Sequence, residues 1–243
     1  MAEDLAGKKF WNESWSHLPP IGPYEGPVFE QHPVLKPFLE AAGGGDAIEI
    51  GCVPGNWLVY LAKEYGYRVH GIDYSEHLGY VRENLIRNGI NPVSLVQGDF
   101  FSYAPHERFD LVFSSGFVEH FDDYNGVVAR HVGLAKIGGL IVIMVPNLRW
   151  IHWVLSRTFA PDILRVHRLE LMKRGPLRRA LEFAGSTVLH CGFQKTFRPV
   201  YPLPVPVDLC VRAFRKGLRM LALDDIGNPL GSPYLIAVAR RVR

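Results

Sequence analysis

The sequence predicts an α/β domain in which a mostly parallel sheet is covered by helices on both faces. Three observations lead there. Short apolar runs of strand length recur along the chain, helical stretches separate them, and the residues that follow successive runs are Gly, Asp or small polar residues instead of apolar ones. A chain of 243 residues is long enough to bury a full core, and one domain over residues 1–243 is expected.

The predicted strands, in order, are DAIEIG from Asp46, YRVHGID from Tyr67, VSLVQGD from Val93, FDLVFSS from Phe109 and GGLIVIMVP from Gly138. Each is rich in Ile, Val, Leu or Phe, as strands buried on both faces are. Between them WLVYLAKEYG, SEHLGYVRENLIRNG and YNGVVARHVGLAKIG repeat their apolar positions near 3.6 and end on Gly, which terminates helices. A further helix, GPLRRALEFAG, and two strands, STVLHCGF and PYLIAVARR, complete the order.

Ligands of such sheets bind beyond the carboxyl ends of the strands. The first strand is followed by GCVPGNW, where Gly51 and Gly55 allow a sharp turn and a close approach to a ligand. The second ends on Asp73, placed to accept hydrogen bonds from a ribose diol. Asp99 follows the third, able to receive an exocyclic amino group, and SSGFVEHF follows the fourth with two rings, Glu119 and His120. One nucleoside ligand would use all four.

EIGCVPGNW, GIDYS, QGDF, FDLVFSSGFVEHF and GGLIVIMVPN, in this order, resemble the motif series of class I S-adenosylmethionine-dependent methyltransferases over about residues 46–147. The resemblance implies a Rossmann-like three-layer sandwich with a seven-stranded sheet and an antiparallel C-terminal hairpin. It implies S-adenosylmethionine as cofactor, with Gly51, Cys52 and Gly55 along its methionine part, Asp73 on the ribose, Asp99 on the adenine amine, and Glu49 on loop backbone or the cofactor ammonium. Asn56, Tyr74, Gly98, Phe100, Ser115 and Gly116 stand in the same motifs and are expected at the cofactor. One departure is Val53 with Pro54 where the loop usually has its middle glycine, so negative φ is expected at residue 53. The same pair spoils the GxGxxG spacing of a nicotinamide oxidoreductase, the alternative for a lone glycine loop.

For an acceptor whose pKa lies above working pH, His120 and Glu119 are the candidate catalytic residues, either as base or as residues that shape the site. FSSG replaces the NPPY-type tetrapeptide that grips planar amides and amines, and no Pro-Cys pair supplies a cytosine-methylating thiolate. Asp122 and Asp123 read as a helix cap, and Pro146 and Asn147 follow the fifth strand, so no metal is expected. The acceptor class that emerges is a small, hydrophobic or ring-bearing molecule, with a hydroxyl favoured over an amine; a lipid-linked or RNA acceptor is the alternative.

Selection of that acceptor falls outside the core. Residues 1–45 carry Phe10, Trp11, Trp15, Tyr24 and Phe29, which suit a lid over the cofactor or a helix packed on the sheet. Residues 148–175 and 198–231 are the expected substrate-side insertions. The second contains Pro199, Pro202, Pro204 and Pro206 and then a basic amphipathic helix over Val207–Leu223, fit either to dock on the domain or to lie on an anionic membrane. Charge is uneven: residues 1–148 hold 10 Lys/Arg against 18 Asp/Glu, and residues 149–243 hold 17 against 6. No nucleic-acid motif accompanies the basic part, so nucleic acid is not the expected partner. Three cysteines without CxxC spacing and the absence of a long apolar run point to a cytoplasmic protein. Oligomeric state is not legible.

Overall fold

The computed structural model describes residues 4–27, 29–194, 198, 203–220 and 227–243. The helices are α1 (Gly7–Ser14), α2 (His32–Ala42), α3 (Asn56–Tyr65), α4 (Leu78–Arg87), α5 (Tyr124–Leu134), α6 (Ile151–Phe159), α7 (Pro161–Arg165), α8 (Arg174–Phe183) and α9 (Val205–Met220). The strands are β1 (Asp46–Ile50), β2 (Arg68–Asp73), β3 (Ser94–Gln97), β4 (Phe109–Ser115), β5 (Ala135–Pro146), β6 (Ser186–Phe193) and β7 (Tyr234–Arg241). Pro199, Pro202 and the end of the sequence-predicted helix at 221–223 lie outside the described residues.

The strands form one seven-stranded sheet in the order β3-β2-β1-β4-β5-β7-β6. Pairing is parallel from β3 through β5, and β7 runs antiparallel between β5 and β6. This is the Rossmann-like sandwich with its antiparallel C-terminal strands. Two apolar clusters cover the two faces, one around Ile48, Ile50, Val112 and Ile141, the other around Ala47, Leu58, Leu111 and Phe113. Alternate residues of β1 and β4 thus point to opposite layers, as a sheet buried on both sides requires. The strand order reverses between β1 and β4, and the crevice at that switch point is where the fold places ligands.

One boundary differs from the sequence reading. Residues 135–138, read as the end of the helix before β5, are extended: Ala135 pairs with Phe109 of β4, with a register shift before Leu111 pairs with Leu140. Sheet pairing overrides the helical preference of AKIG there, and α5 stops at Leu134. Among the described residues of 1–45 there are two helices, α1 and α2.

Candidate active site

A cavity of ≈190 Å³ lies at the carboxyl ends of β1, β2 and β3. Gly51, Asp73, Tyr74, Gly98, Asp99 and Phe100 line it, joined by His120 and the rings of Trp11, Phe101, Phe117 and Phe121. The backbone after β1 is held in place by β2. Gly51 N–H donates to Ile72 O at 2.9 Å, and Asp73 accepts from Val53 N–H at 3.0 Å and from Ser75 N–H at 2.8 Å. Val53 has negative φ as expected, because Trp150 is the only positive-φ non-glycine among the described residues.

Gly51 is a glycine for two reasons. Its φ is +72°, and a Cβ there would stand 3.1 Å from Phe117 Cδ2, filling the space between loop and ring. Gly55 serves packing instead, since a Cβ would meet Val81 of α4 at 2.9 Å. Cys52 is buried with Sγ toward Gly71 of β2, and Asn56 accepts from the Asn84 amide at 3.0 Å; neither lines the cavity. Glu49 is buried behind the loop with Oε2 unpartnered, and burial, with the charge of Asp73, pushes its carboxyl well above the usual range. Ser115 ends β4 and Gly116 follows it, and neither reaches the cavity surface. Asp99 is exposed and accepts from Phe101 N–H at 3.0 Å, leaving Oδ2 open.

His120 ends the 3₁₀ turn Val118–His120. Its Nδ1 donates to Val166 O at 2.7 Å, which fixes the tautomer and leaves Nε2 with its lone pair. Burial, then the neighbouring His167, push its pKa down to about 3, so the ring is neutral at physiological pH. Glu119 is fully buried, neither carboxyl oxygen has a hydrogen-bond partner, and burial raises its pKa to about 8. Asp123 caps α5, accepting from Gly126 N–H at 2.9 Å, and Asp122 pairs with Arg168; both match the capping and solvation expected of them.

Trp11 stands edge-on to His120 with ring centroids 4.8 Å apart, and α1 buries none of its residues. The helix is tied to the domain at its rim: Asn12 Oδ1 accepts from Glu76 N–H at 3.0 Å, Lys8 pairs with Glu76, and Leu5 N–H donates to His120 O. Residues 148–175 contribute to the site through Val166, while Trp150, Ile151, Trp153 and Val154 line a separate open groove with Arg149 and Lys173. The wall residues Trp11, Phe101, Phe117 and Phe121 were not among the expected cofactor contacts, although Phe117 and Phe121 flank the Glu-His pair at a spacing of four.

The cavity offers carboxylates at the ends of adjacent strands, a bare glycine backbone and an apolar slot, a donor set that fits a cationic adenosyl compound without phosphates. The comparisons agree. Residues 48–143 match the family model described as "Methyltransferase domain". A ubiquinone biosynthesis O-methyltransferase of Serratia proteamaculans is 29% identical over 138 residues, covering 54% of this chain and 56% of the relative. The chain aligns with between 24% and 56% of the length of the curated relatives it matches. Among solved structures, a SAM-dependent methyltransferase from Archaeoglobus fulgidus superposes with a TM-score of 0.58 at 19% identity, covering 86% of this chain and 92% of that one. Magnesium protoporphyrin IX methyltransferase from Synechocystis PCC 6803, solved with bound SAH, gives 0.57 at 15% identity over 87% and 84%. Residues 48–143 thus match a methyltransferase domain, and the chain shares the fold of solved S-adenosylmethionine-dependent methyltransferases.

Proposed function

We propose that this protein methylates an oxygen of a small, ring-bearing or hydrophobic molecule. The observation that carries this reading is the cavity wall: Trp11, Phe101, Phe117 and Phe121 line the same cavity as His120, whose Nε2 keeps a lone pair able to accept a hydrogen bond from a hydroxyl. When bound, S-adenosylmethionine supplies an electrophilic methyl group. The chain's own work is to hold donor and acceptor in line, exclude water and orient the acceptor O–H. Gly51, Asp73, Asp99 and Phe100 bind the cofactor; the rings stack on the acceptor. A ring depressed to about pKa 3 is a poor proton store, so His120 positions the hydroxyl, and the proton lost on methylation leaves by another route.

The naming of the Serratia relative as an O-methyltransferase supports oxygen as the acceptor atom. The test is a panel of phenols, alcohols and amines incubated with methyl-labelled cofactor and analysed by mass spectrometry. Label in phenolic or alcoholic products supports the proposal, and label confined to amines refutes it.

A second reading concerns where the acceptor resides. No helix among the described residues is long and apolar enough to cross a membrane. Helix α9 nevertheless leaves Leu209 and Phe214 more than half exposed beside Arg212 and Lys216. That pattern suits peripheral contact with an anionic membrane and a lipid-linked acceptor. Co-sedimentation with anionic but not neutral vesicles at low salt supports it; equal recovery from both removes it.

A further inference from the structure

Three groups able to ligate a metal converge beside the cavity. Glu119 Oε1 lies 3.8 Å from His120 Nε2, and the ligand atoms of Glu119, His120 and His167 all lie within 4.8 Å of one another. The two imidazole rings are 4.3 Å apart. His120 Nδ1 donates to Val166 O at 2.7 Å and His167 Nδ1 donates to Ile163 O at 2.6 Å. Both rings therefore present an unprotonated Nε2. Glu119 contributes a carboxyl group with no accessible surface and no hydrogen-bond partner on either oxygen. A buried carboxyl group and two imidazoles this close together form the mixed nitrogen and oxygen donor set that suits a transition-metal ion.

The surroundings hold this arrangement firmly. His167 sits between two anchors: Val166 O receives the His120 N–H, and Arg168 donates its backbone N–H to Glu119 O at 2.7 Å while its guanidinium pairs with Asp122. Each histidine thus has its outer nitrogen fixed by a backbone carbonyl, the usual support for a metal-bound imidazole.

The geometry points to a binding site for a first-row transition dication, formed by Glu119 oxygen, His120 Nε2 and His167 Nε2. Two nitrogens and one carboxylate favour such an ion over magnesium or calcium, which take oxygen-only shells. The ligand atoms all lie within 4.8 Å of one another, and ligation at about 2.0–2.2 Å would draw them closer together around the ion. Three protein ligands leave positions open, and His120 is common to this cluster and the cavity. The role of the ion, though not its existence, rests on the oxygen-methylation reading. With an ion bound, His120 Nε2 would ligate it and the ion would take over from that nitrogen the holding of the acceptor hydroxyl; the hydroxyl would lose its proton to solvent, and the oxyanion would form the new C–O bond as the C–S bond breaks and its electron pair stays on sulfur.

The experiment uses Co²⁺ as the probe on the full-length protein after treatment with chelator. Wild type is expected to bind one equivalent, seen by visible d–d absorption and by calorimetry. His167→Ala and the near-isosteric Glu119→Gln are each expected to weaken binding at least 10-fold, with an unchanged circular dichroism spectrum and S-adenosylhomocysteine affinity within about 2-fold of wild type. If the Glu119 variant does not fold, the half-buried His167 site still decides. Absence of d–d bands at millimolar Co²⁺, or equal Co²⁺ affinity in wild type and variants, overturns the site. Because S-adenosylhomocysteine is titrated separately, loss of the metal claim with cofactor binding intact leaves the methyltransferase reading standing, and the reverse result separates the two equally well.

Discussion

The carboxylate of Asp73 accepts the backbone N–H of Val53 at 3.0 Å, so the residue that ends β2 shapes the loop that follows β1. Its other oxygen accepts from Ser75 N–H at 2.8 Å. Each oxygen retains a second lone pair for a ligand hydroxyl. The side chain therefore both organises the loop and faces the cavity. Asp73→Ala is predicted to weaken cofactor binding by roughly 1.5–3 kcal/mol, the range for a lost charge-assisted hydrogen bond. Titration calorimetry with S-adenosylhomocysteine checks this, and an unchanged Kd rules out the ribose role.

The two loop glycines are predicted to fail differently. Gly51→Val places its side chain against Phe117 within the cavity and is expected to abolish measurable cofactor binding while leaving a cooperative unfolding transition. Gly55→Ala crowds Val81 between α3 and α4 at positive φ and is expected to cost about 1–3 kcal/mol of stability, with cofactor affinity nearly retained in the folded fraction. Denaturant unfolding beside calorimetry distinguishes them; the opposite pattern exchanges the two roles.

A cavity of ≈190 Å³ is smaller than the ~300 Å³ or more of typical ligand pockets. Trp11 is the wall most easily displaced, because α1 buries none of its residues and is fastened at the rim through Asn12 and Lys8. Asn12→Ala removes the acceptor for Glu76 N–H. It is predicted to raise the cofactor dissociation rate several-fold, measured by stopped-flow displacement. A rate equal to wild type would mean that the segment is a fixed wall.

Stability is predicted to fall in acid through His131. Its Nδ1 donates to Val127 O at 2.8 Å and its Nε2 faces Ser114 Oγ at 3.1 Å, so the buried ring is neutral, and burial pushes its pKa down to about 4. The unfolded chain binds a proton near pH 6.5 that the folded chain takes up only near 4. Stability is thus fully present above the unfolded value and declines as pH falls through this window, by about 3 kcal/mol in all. His131→Leu should flatten the slope of unfolding free energy against pH between 6.5 and 4 by about one proton. An unaltered slope would contradict the assignment.

How much of this was legible in the chain follows from how local each signal is. The five core strands read directly because burial on both faces makes them continuous apolar runs, and Gly51, Asp73 and Asp99 follow because strand ends point at the crevice. AKIG at 135–138 was misread because its extended state comes from pairing with β4, which no local pattern records. The resemblance puts Cys52 and Gly55 along the cofactor; in the fold Cys52 Sγ lies against Gly71 and a Cβ at Gly55 would meet Val81, packing that no local pattern records. The sequence reading expected no metal from Asp122, Asp123 and the residues after β5. The cluster on which a site is now proposed depends on His167, 47 residues beyond His120, reached only through the backbone contacts of Val166 and Arg168.

The most direct test of the account is calorimetric titration of S-adenosylmethionine and S-adenosylhomocysteine into purified wild-type protein and Asp73→Ala. The account predicts one site per chain, a Kd in the micromolar range or tighter for wild type, and at least 10-fold weaker binding in the variant. Absence of binding to either compound by folded wild-type protein would contradict it.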